Sequence, residues 1–129
     1  MTNQVPRISE SEWEVMNVLW DKAPRTASEV IQALQATTDW KPKTIRTLLD
    51  RLVKKKVVGV NQDQKVYTFI PLYTQTECQH AEAKSFLNRI YGGTMKSMLV
   101  QFFEEESITE EEMKELRALL REKAGKDNE

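Results

Sequence analysis

Several residue types are scarce in this chain of 129 residues, and each scarcity excludes a class of protein. The chain has one cysteine, Cys78, which excludes an internal disulfide and is typical of a reducing compartment. It has no apolar run long enough to span a membrane, and residues 1–6 lack the pattern of a signal peptide. We therefore expect a cytoplasmic protein without membrane insertion, built as one domain or two small ones.

The residues that most enzymes use are also scarce. The single histidine, His80, stands two residues after Cys78. Side chains two positions apart on a helix point in different directions, so this pair makes a poor nucleophile–base pair or metal site. The pair Gly92-Gly93 is typical of a helix end rather than of a phosphate-binding loop, and the Glu-rich stretch 104–112 is explained most simply as a solvated surface. We expect no enzyme, no cofactor and no metal site.

Positive charge is concentrated in one segment, although the net charge of the chain is −1. Residues 41–56 contain seven Lys or Arg and one Asp, which gives this segment a charge of +6. Residues 1–73 carry 11 basic and 8 acidic side chains, and residues 74–129 carry 8 and 12, so the two parts have net charges of +3 and −4. This segregation indicates a nucleic-acid-binding first half, which the overall pI of about 6.0 conceals.

The basic segment also has the apolar period of a helix. One stripe would face a core, and it consists of Ile45, Leu48, Leu49, Leu52 and Val53. The other faces present Arg, Lys and Thr, which pair with guanine edges, neutralise phosphates and meet thymine methyl groups. The predicted DNA-binding residues are Lys41, Lys43, Thr44, Arg46, Thr47, Arg51, Lys54 and, in the following hairpin, Lys65. For any single Lys-rich helix, the alternative is an ordinary solvated basic face.

The elements around this helix predict a winged helix-turn-helix. Helix starts are marked by four S/T-x-x-E capping boxes, at Ser9…Glu12, Thr26…Glu29, Thr74…Glu77 and Thr109…Glu112. Two helices, beginning at Ser9 and Thr26, precede the basic helix, and the β-rich runs 57–60 and 65–70 follow it as a hairpin. The basic helix would lie in the major groove, and the hairpin would reach the flanking backbone.

The second half predicts three helices with more apolar surface than they can bury alone. Because residues 74–129 are too few for a sizeable core, we expect a homodimer, which would also match a palindromic operator. The alternative is that these helices pack on the first half. The predicted dimerisation residues are Phe86, Leu87, Ile90, Tyr91, Met95, Met98, Leu99, Phe102, Phe103, Met113, Leu116, Leu119 and Leu120. We predict a mainly α (α+β) fold, with a winged-helix domain over 1–73, a three-helix dimerisation domain over 74–123 and a disordered tail over 124–129.

Three stretches carry a resemblance to a known family. They are ISESEWEVM at 8–16, KTIRTL at 43–48 and FLNRIYGG at 86–93. Together they resemble the BlaI/MecI family of penicillinase repressors, over nearly the whole chain. The resemblance implies a dimeric transcriptional repressor that binds dyads with TACA/TGTA half-sites, upstream of β-lactamase or penicillin-binding-protein genes. Thr44 and Arg46 match the base-reading positions of the family.

The resemblance also implies how repression ends. In the family, a β-lactam acylates a membrane sensor, the repressor is cleaved at an Asn–Phe bond in its dimerisation domain, and the dimer leaves the operator. This chain has Leu99-Val100-Gln101-Phe102 at the matching place, so Phe102 matches and Gln101 replaces the Asn. We hypothesise that a sensor-triggered protease cleaves the Gln101–Phe102 bond.

The sequence disfavours one rival interpretation and leaves two others open. A copper-responsive repressor of similar architecture would need a C-terminal cluster of cysteines, which residues 121–129 do not contain. A protein-interaction module would use the basic helix for nonspecific DNA affinity alone. A repressor of the same family would control genes unrelated to β-lactams, because the sequence of a repressor does not name its regulon.

Overall fold

The computed structural model of the chain describes residues 4–105 and 108–127, and the chain forms two compact units, Met1–Ala83 and Lys84–Glu129. The described helices are α1 Glu10–Asp21, α2 Ala27–Gln35, α3 Pro42–Lys54, α4 Gln75–Tyr91, α5 Met95–Glu104 and α6 Glu110–Asp127. The described strands are β1 Arg25–Thr26, β2 Val58–Asn61 and β3 Thr68–Pro71. None of these helices combines the length and the apolarity needed to cross a membrane.

All four predicted capping boxes are confirmed. In each box the Ser or Thr hydroxyl accepts the backbone N–H of the Glu, and the Glu carboxylate accepts the backbone N–H of the Ser or Thr, at 2.8–3.2 Å. These bonds satisfy backbone donors that the first turn of a helix leaves without a partner. They therefore fix the starts of α1, α2, α4 and α6.

A three-stranded antiparallel sheet has the order β1-β3-β2, and in the chain β1 comes before α2 whereas β2 and β3 come after α3. Strands β2 and β3 form the predicted hairpin, with Gly59 opposite Ile70, although β3 begins three residues later than predicted. Strand β1 was not predicted, because two residues are too few to show an alternating pattern. It pairs Arg25 with Phe69, which brings the start of α2 to the base of the hairpin. The predicted winged helix-turn-helix is confirmed.

One apolar core holds the first unit together. Helix α3 contributes Ile45, Leu48, Leu49 and Leu52, as its stripe predicted, while Val53 is half-buried. The other buried apolar residues are Ile8, Val15, Met16, Leu19, Val30, Leu34, Val57, Val58, Phe69 and Cys78. Because α3 is anchored by its apolar stripe, its basic face is held toward solvent.

Two predicted boundaries differ from the structure. The two units divide between Ala83 and Lys84 rather than between residues 73 and 74. The reason is that the first turns of α4 belong to the first unit, where Cys78 is 1% exposed and lies in its core. The predicted disordered tail is wrong for residues 124–127, which continue α6 as helix. Residues 128 and 129 lie outside the described part of the chain.

The second unit contains the part of α4 from Lys84 onward and the whole of α5 and α6. Between 84 and 125, none of the described side chains is buried. Gly92 and Gly93 have φ angles of 69° and 92°, a left-handed backbone that favours glycine, and they end α4 as predicted. The three helices therefore keep much of their apolar surface exposed.

Candidate nucleic-acid interface

Helix α3 presents to solvent a face that is mainly basic, with the single acidic side chain Asp50 also exposed on it. It begins with Lys41 as N-cap residue and Pro42 in the first turn, where the missing N–H of proline removes no helical bond. All the predicted DNA-binding side chains are exposed: Lys41, Lys43, Thr44, Arg46, Thr47, Arg51, Lys54 and Lys65. The hydroxyl of Thr47 donates to the carbonyl of Lys43 at 2.9 Å, so its oxygen is left to accept from a ligand.

The three consecutive lysines at the end of α3, Lys54, Lys55 and Lys56, have different surroundings. Lys56 has a φ of 65°, its N–H donates to the carbonyl of Val53, and the N–H of Val57 donates to the carbonyl of Leu52. This pair of bonds is a Schellman motif, in which the left-handed residue turns the chain away from the helix. Lys54 stays on the exposed face of α3, whereas Lys55 turns toward α1.

Lys55 is held by a buried carboxylate. Its Nζ lies 2.5 Å from Oε1 of Glu12, which is 1% exposed, and it also donates to the carbonyl of Arg7 at 2.9 Å. Burial of the Glu12 carboxyl raises its pKa, but the hydrogen bonds with Lys55 and Ser9, together with the positive charge of Lys55, outweigh burial, so the net pKa is lowered. Glu12 is therefore ionised at neutral pH, and Lys55 is not available to a DNA backbone.

The hairpin, the start of α2 and the helix α3 line a small cleft. We call it the wing cleft; its volume is about 290 Å³, and it is lined by Thr26, Ala27, Ser28, Arg46, Lys65, Val66, Tyr67 and Phe69. The structure thus brings Arg46 of α3 and Lys65 of the hairpin, both predicted to bind DNA, to one site. Within the described residues, neither side chain makes an ion pair.

Sequence reasoning missed three polar residues of this cleft, Thr26, Ser28 and Tyr67. Thr26 was identified only as a helix cap, and Tyr67 only as part of a strand. The signal that links them is the pairing of Thr26 with Thr68 across β1 and β3. A two-residue strand has no detectable pattern in the sequence, so the link appears only in three dimensions.

The predicted dimerisation residues form two groups in the second unit. Half-buried side chains are Leu87, Tyr91, Met98, Leu99, Met113 and Leu116. Exposed side chains are Phe86, Ile90, Met95, Phe102, Phe103, Leu119 and Leu120, at 41–61% exposure. The rings of Phe86 and Tyr91, both in α4, lie 5.8 Å apart, so these two side chains pack against each other within one helix.

The predicted cleavage site lies within α5. Gln101 and Phe102 are both exposed, and the carbonyl of Gln101 accepts the N–H of Glu105 at 3.2 Å. Their peptide bond is thus helical and stands three residues before the end of α5.

Comparison with known proteins identifies the family. The family model described as "Penicillinase repressor" matches residues 8–122. The chain belongs to the penicillinase repressor family. The methicillin resistance regulatory protein MecI of Staphylococcus aureus is 37% identical over 95% of this chain and 100% of its own length. The penicillinase repressor of Bacillus licheniformis is 38% identical over 92% of this chain and 93% of its own length.

A solved structure from this family matches the first part of the fold. It is the solution structure of the Bacillus licheniformis BlaI monomeric form in complex with the blaP half-operator, which is 36% identical and has a TM-score of 0.53. The match covers 59% of this chain and 93% of that chain. The resemblance stated from the sequence is therefore confirmed, and this member of the penicillinase repressor family is a winged-helix, DNA-binding transcriptional regulator.

Proposed function

We propose that this chain represses β-lactamase or penicillin-resistance genes by binding a palindromic operator as a homodimer. The observation that carries the proposal is the basic face of α3. All eight predicted DNA-binding side chains, which are those of the α3 segment together with Lys65 of the hairpin, are exposed, while the apolar stripe of α3 faces the core. A helix held in this way can enter the major groove without disturbing its own core. The half-operator bound by the related BlaI protein supports the same mode of binding.

Base reading is assigned to the first turns of α3. Thr44 and Arg46 are exposed there, and the guanidinium of Arg46 can pair with N7 and O6 of a guanine such as that in a TGTA half-site. Lys43, Arg51 and Lys54 are placed to neutralise backbone phosphates. These contacts position the protein but carry no sequence information by themselves.

The second unit supports a dimer. Its helices leave Ile90, Leu119 and Leu120 at 58–61% exposure, and a second copy with the same surface would cover such side chains. A two-fold dimer would present two α3 helices to the two halves of a dyad.

Induction by cleavage at Gln101–Phe102 is a further part of the proposal. Proteases bind their substrates in extended form, so the last turn of α5, including the bond from Glu105 to Gln101, would have to open first. The test is to follow the intact chain in cells treated with a β-lactam. Fragments that end at Gln101 support the proposal, and induction of the target genes with the repressor intact contradicts it.

The experiment that tests operator recognition compares a TACA/TGTA dyad with a scrambled duplex of the same composition. Affinities are measured at two salt concentrations, together with the mass of the free protein. We expect selective binding to the dyad by a dimer. Equal affinities for both duplexes, with a steep salt dependence, would mean that α3 only neutralises phosphates, as a protein-interaction module requires.

A further inference from the structure

The wing cleft is a site where three elements meet, and only two of its residues have been assigned a DNA contact. Ser28 comes from the start of α2, Arg46 from α3, and Lys65 and Tyr67 from the segment between β2 and β3. The pairing of β1 with β3 holds the first and last of these elements together. The walls of the cleft are therefore joined by the hydrogen bonds of the sheet.

The wing cleft is lined by polar side chains as well as by apolar ones. Arg46 and Lys65 bring positive charge, and Ser28 and Tyr67 bring hydroxyl groups. Val66 and Phe69 add apolar surface, and no carboxylate is among the lining residues. The neighbouring carboxylate of Glu29 is engaged, because it accepts the N–H of Thr26 at 2.8 Å. An anionic group attached to an apolar ring would match this lining.

We propose that the wing cleft, which Ser28, Arg46 and Lys65 line, binds one deoxyribose phosphate of the operator backbone. The phosphate would accept bonds from Lys65, Arg46 and the hydroxyl of Ser28, and the sugar would lie on the apolar surface. This inference rests on the proposed operator binding, and it adds Ser28 and Tyr67 to the interface.

Arg46 then has two partners, the bound phosphate and a base edge. A phosphate at the cleft restrains the guanidinium on one side, so that fewer orientations remain for the contact with a guanine. Occupancy of the cleft and base reading are therefore coupled. This makes Lys65 and Ser28 positioning residues for Arg46 in addition to being backbone contacts.

The test is a scan in which methylphosphonates neutralise one phosphate of the dyad at a time. For the wild-type chain, we expect several sensitive phosphates per half-site, because Lys43, Arg51 and Lys54 are also assigned to the backbone, and among them one phosphate at the wing cleft whose neutralisation weakens binding about tenfold. In Lys65→Met and in Ser28→Ala, neutralising that same phosphate should have little further effect. Arg46→Ala should also reduce the effect at this position. Lys96→Ala, which removes an exposed charge in α5, is the matched control and should keep the wild-type profile.

The outcomes separate this inference from the proposed function. If Lys65→Met and Ser28→Ala change the response at different phosphates, or at none, the wing cleft does not bind the backbone, even if the wild-type chain prefers the dyad. If the chain shows no preference for the dyad, operator reading fails. Binding without a preference has no fixed register on the duplex, so the cleft is then tested by affinity: weaker binding by Lys65→Met and Ser28→Ala than by Lys96→Ala supports it, and equal binding by all three overturns it.

Discussion

Glu12 and Lys55 are 43 positions apart in the sequence, and their charged groups lie 2.5 Å apart. Glu12 belongs to the first turn of α1, and Lys55 is the C-cap residue of α3. The ion pair therefore joins the start of the first helix to the end of the helix that would read DNA. Since the carboxylate is also part of the capping box with Ser9, one side chain fixes both elements.

Glu12→Gln should destabilise the protein at neutral pH. The amide can still accept the N–H of Ser9, but it loses the charge-assisted bond from Lys55, and we expect a loss of about 1–3 kcal/mol in the free energy of unfolding. Lys55 is partly exposed, which favours the lower end of this range because solvent can replace its partner. Urea unfolding monitored by tryptophan fluorescence measures the difference.

The same variant has a defined pH dependence. The pKa of Glu12 is lower in the folded chain than its usual value of 4.5, so the stabilisation is fully present above that value. It is lost as the pH falls through the folded pKa, where the wild-type carboxyl takes up a proton and comes to resemble Gln. Unfolding free energies of the two proteins should therefore converge in acid. A difference that stays constant into acid would show that the ion pair is not its cause.

Lys56→Gly should stabilise the protein. Lys56 has a φ of 65°, a conformation in which an L side chain crowds the following carbonyl, and glycine removes that strain. We expect a gain of up to about 1 kcal/mol, reduced by the extra freedom of glycine in the unfolded chain. Lys56→Ala is the matched control, because it removes the charge but keeps the Cβ. A gain of equal size in Lys56→Ala would point to charge rather than to backbone strain.

Cys78 should react slowly with thiol reagents in the folded protein. Burial, followed by the nearby charge of Glu77, raises the pKa of its thiol to about 11 from a usual value of 9.0. At a pH well below 9 the thiolate is then about 100-fold scarcer than in the unfolded chain, and burial slows its reaction further. Labelling with a chromogenic disulfide in buffer and in urea measures this. Equally fast labelling in both would mean that the start of α4 does not stay packed in the core of the first unit.

The sequence carried most of the information about the helices, because their starts have a local chemical signature. Each capping box depends on two residues three positions apart, and all four are present in the structure. The stripe on α3 likewise depends on spacing alone. Residues that act within one helix can be read from one segment of sequence.

The parts that were missed depend on contacts between distant segments. Strand β1 exists only because Arg25 and Thr26 meet β3, and the pair of Glu12 and Lys55 spans 43 positions. The boundary between the two units was misplaced because Cys78 is buried by residues far away in sequence. The wing cleft combines three such segments, so its polar lining was not predicted beyond Arg46 and Lys65.

Arg46→Ala and Lys54→Ala should weaken DNA binding in different ways. Arg46 is assigned to a base edge as well as to the phosphate at the wing cleft, so its loss should weaken both duplexes and, beyond that, reduce the preference for the dyad over a scrambled duplex by about 1–3 kcal/mol. Lys54 is assigned to a phosphate, so its loss should weaken both duplexes similarly and reduce the slope of log affinity against log salt by about 1. Titrations of both duplexes over a range of salt concentrations measure the two effects. A uniform loss in Arg46→Ala would move Arg46 to the backbone contacts.

Leu119→Glu should convert a dimer into a monomer. Leu119 is 61% exposed in the single chain, so a charge there should change the stability of a monomer by no more than about 0.5 kcal/mol. In a dimer that covers this side chain, the carboxylate would be buried without a partner, which opposes association strongly. Ala118→Glu adds the same charge one position away, off the apolar stripe, and should leave the dimer intact. Sedimentation at micromolar concentration separates the cases: a Leu119→Glu protein that still sediments as a dimer would place the interface elsewhere in the chain.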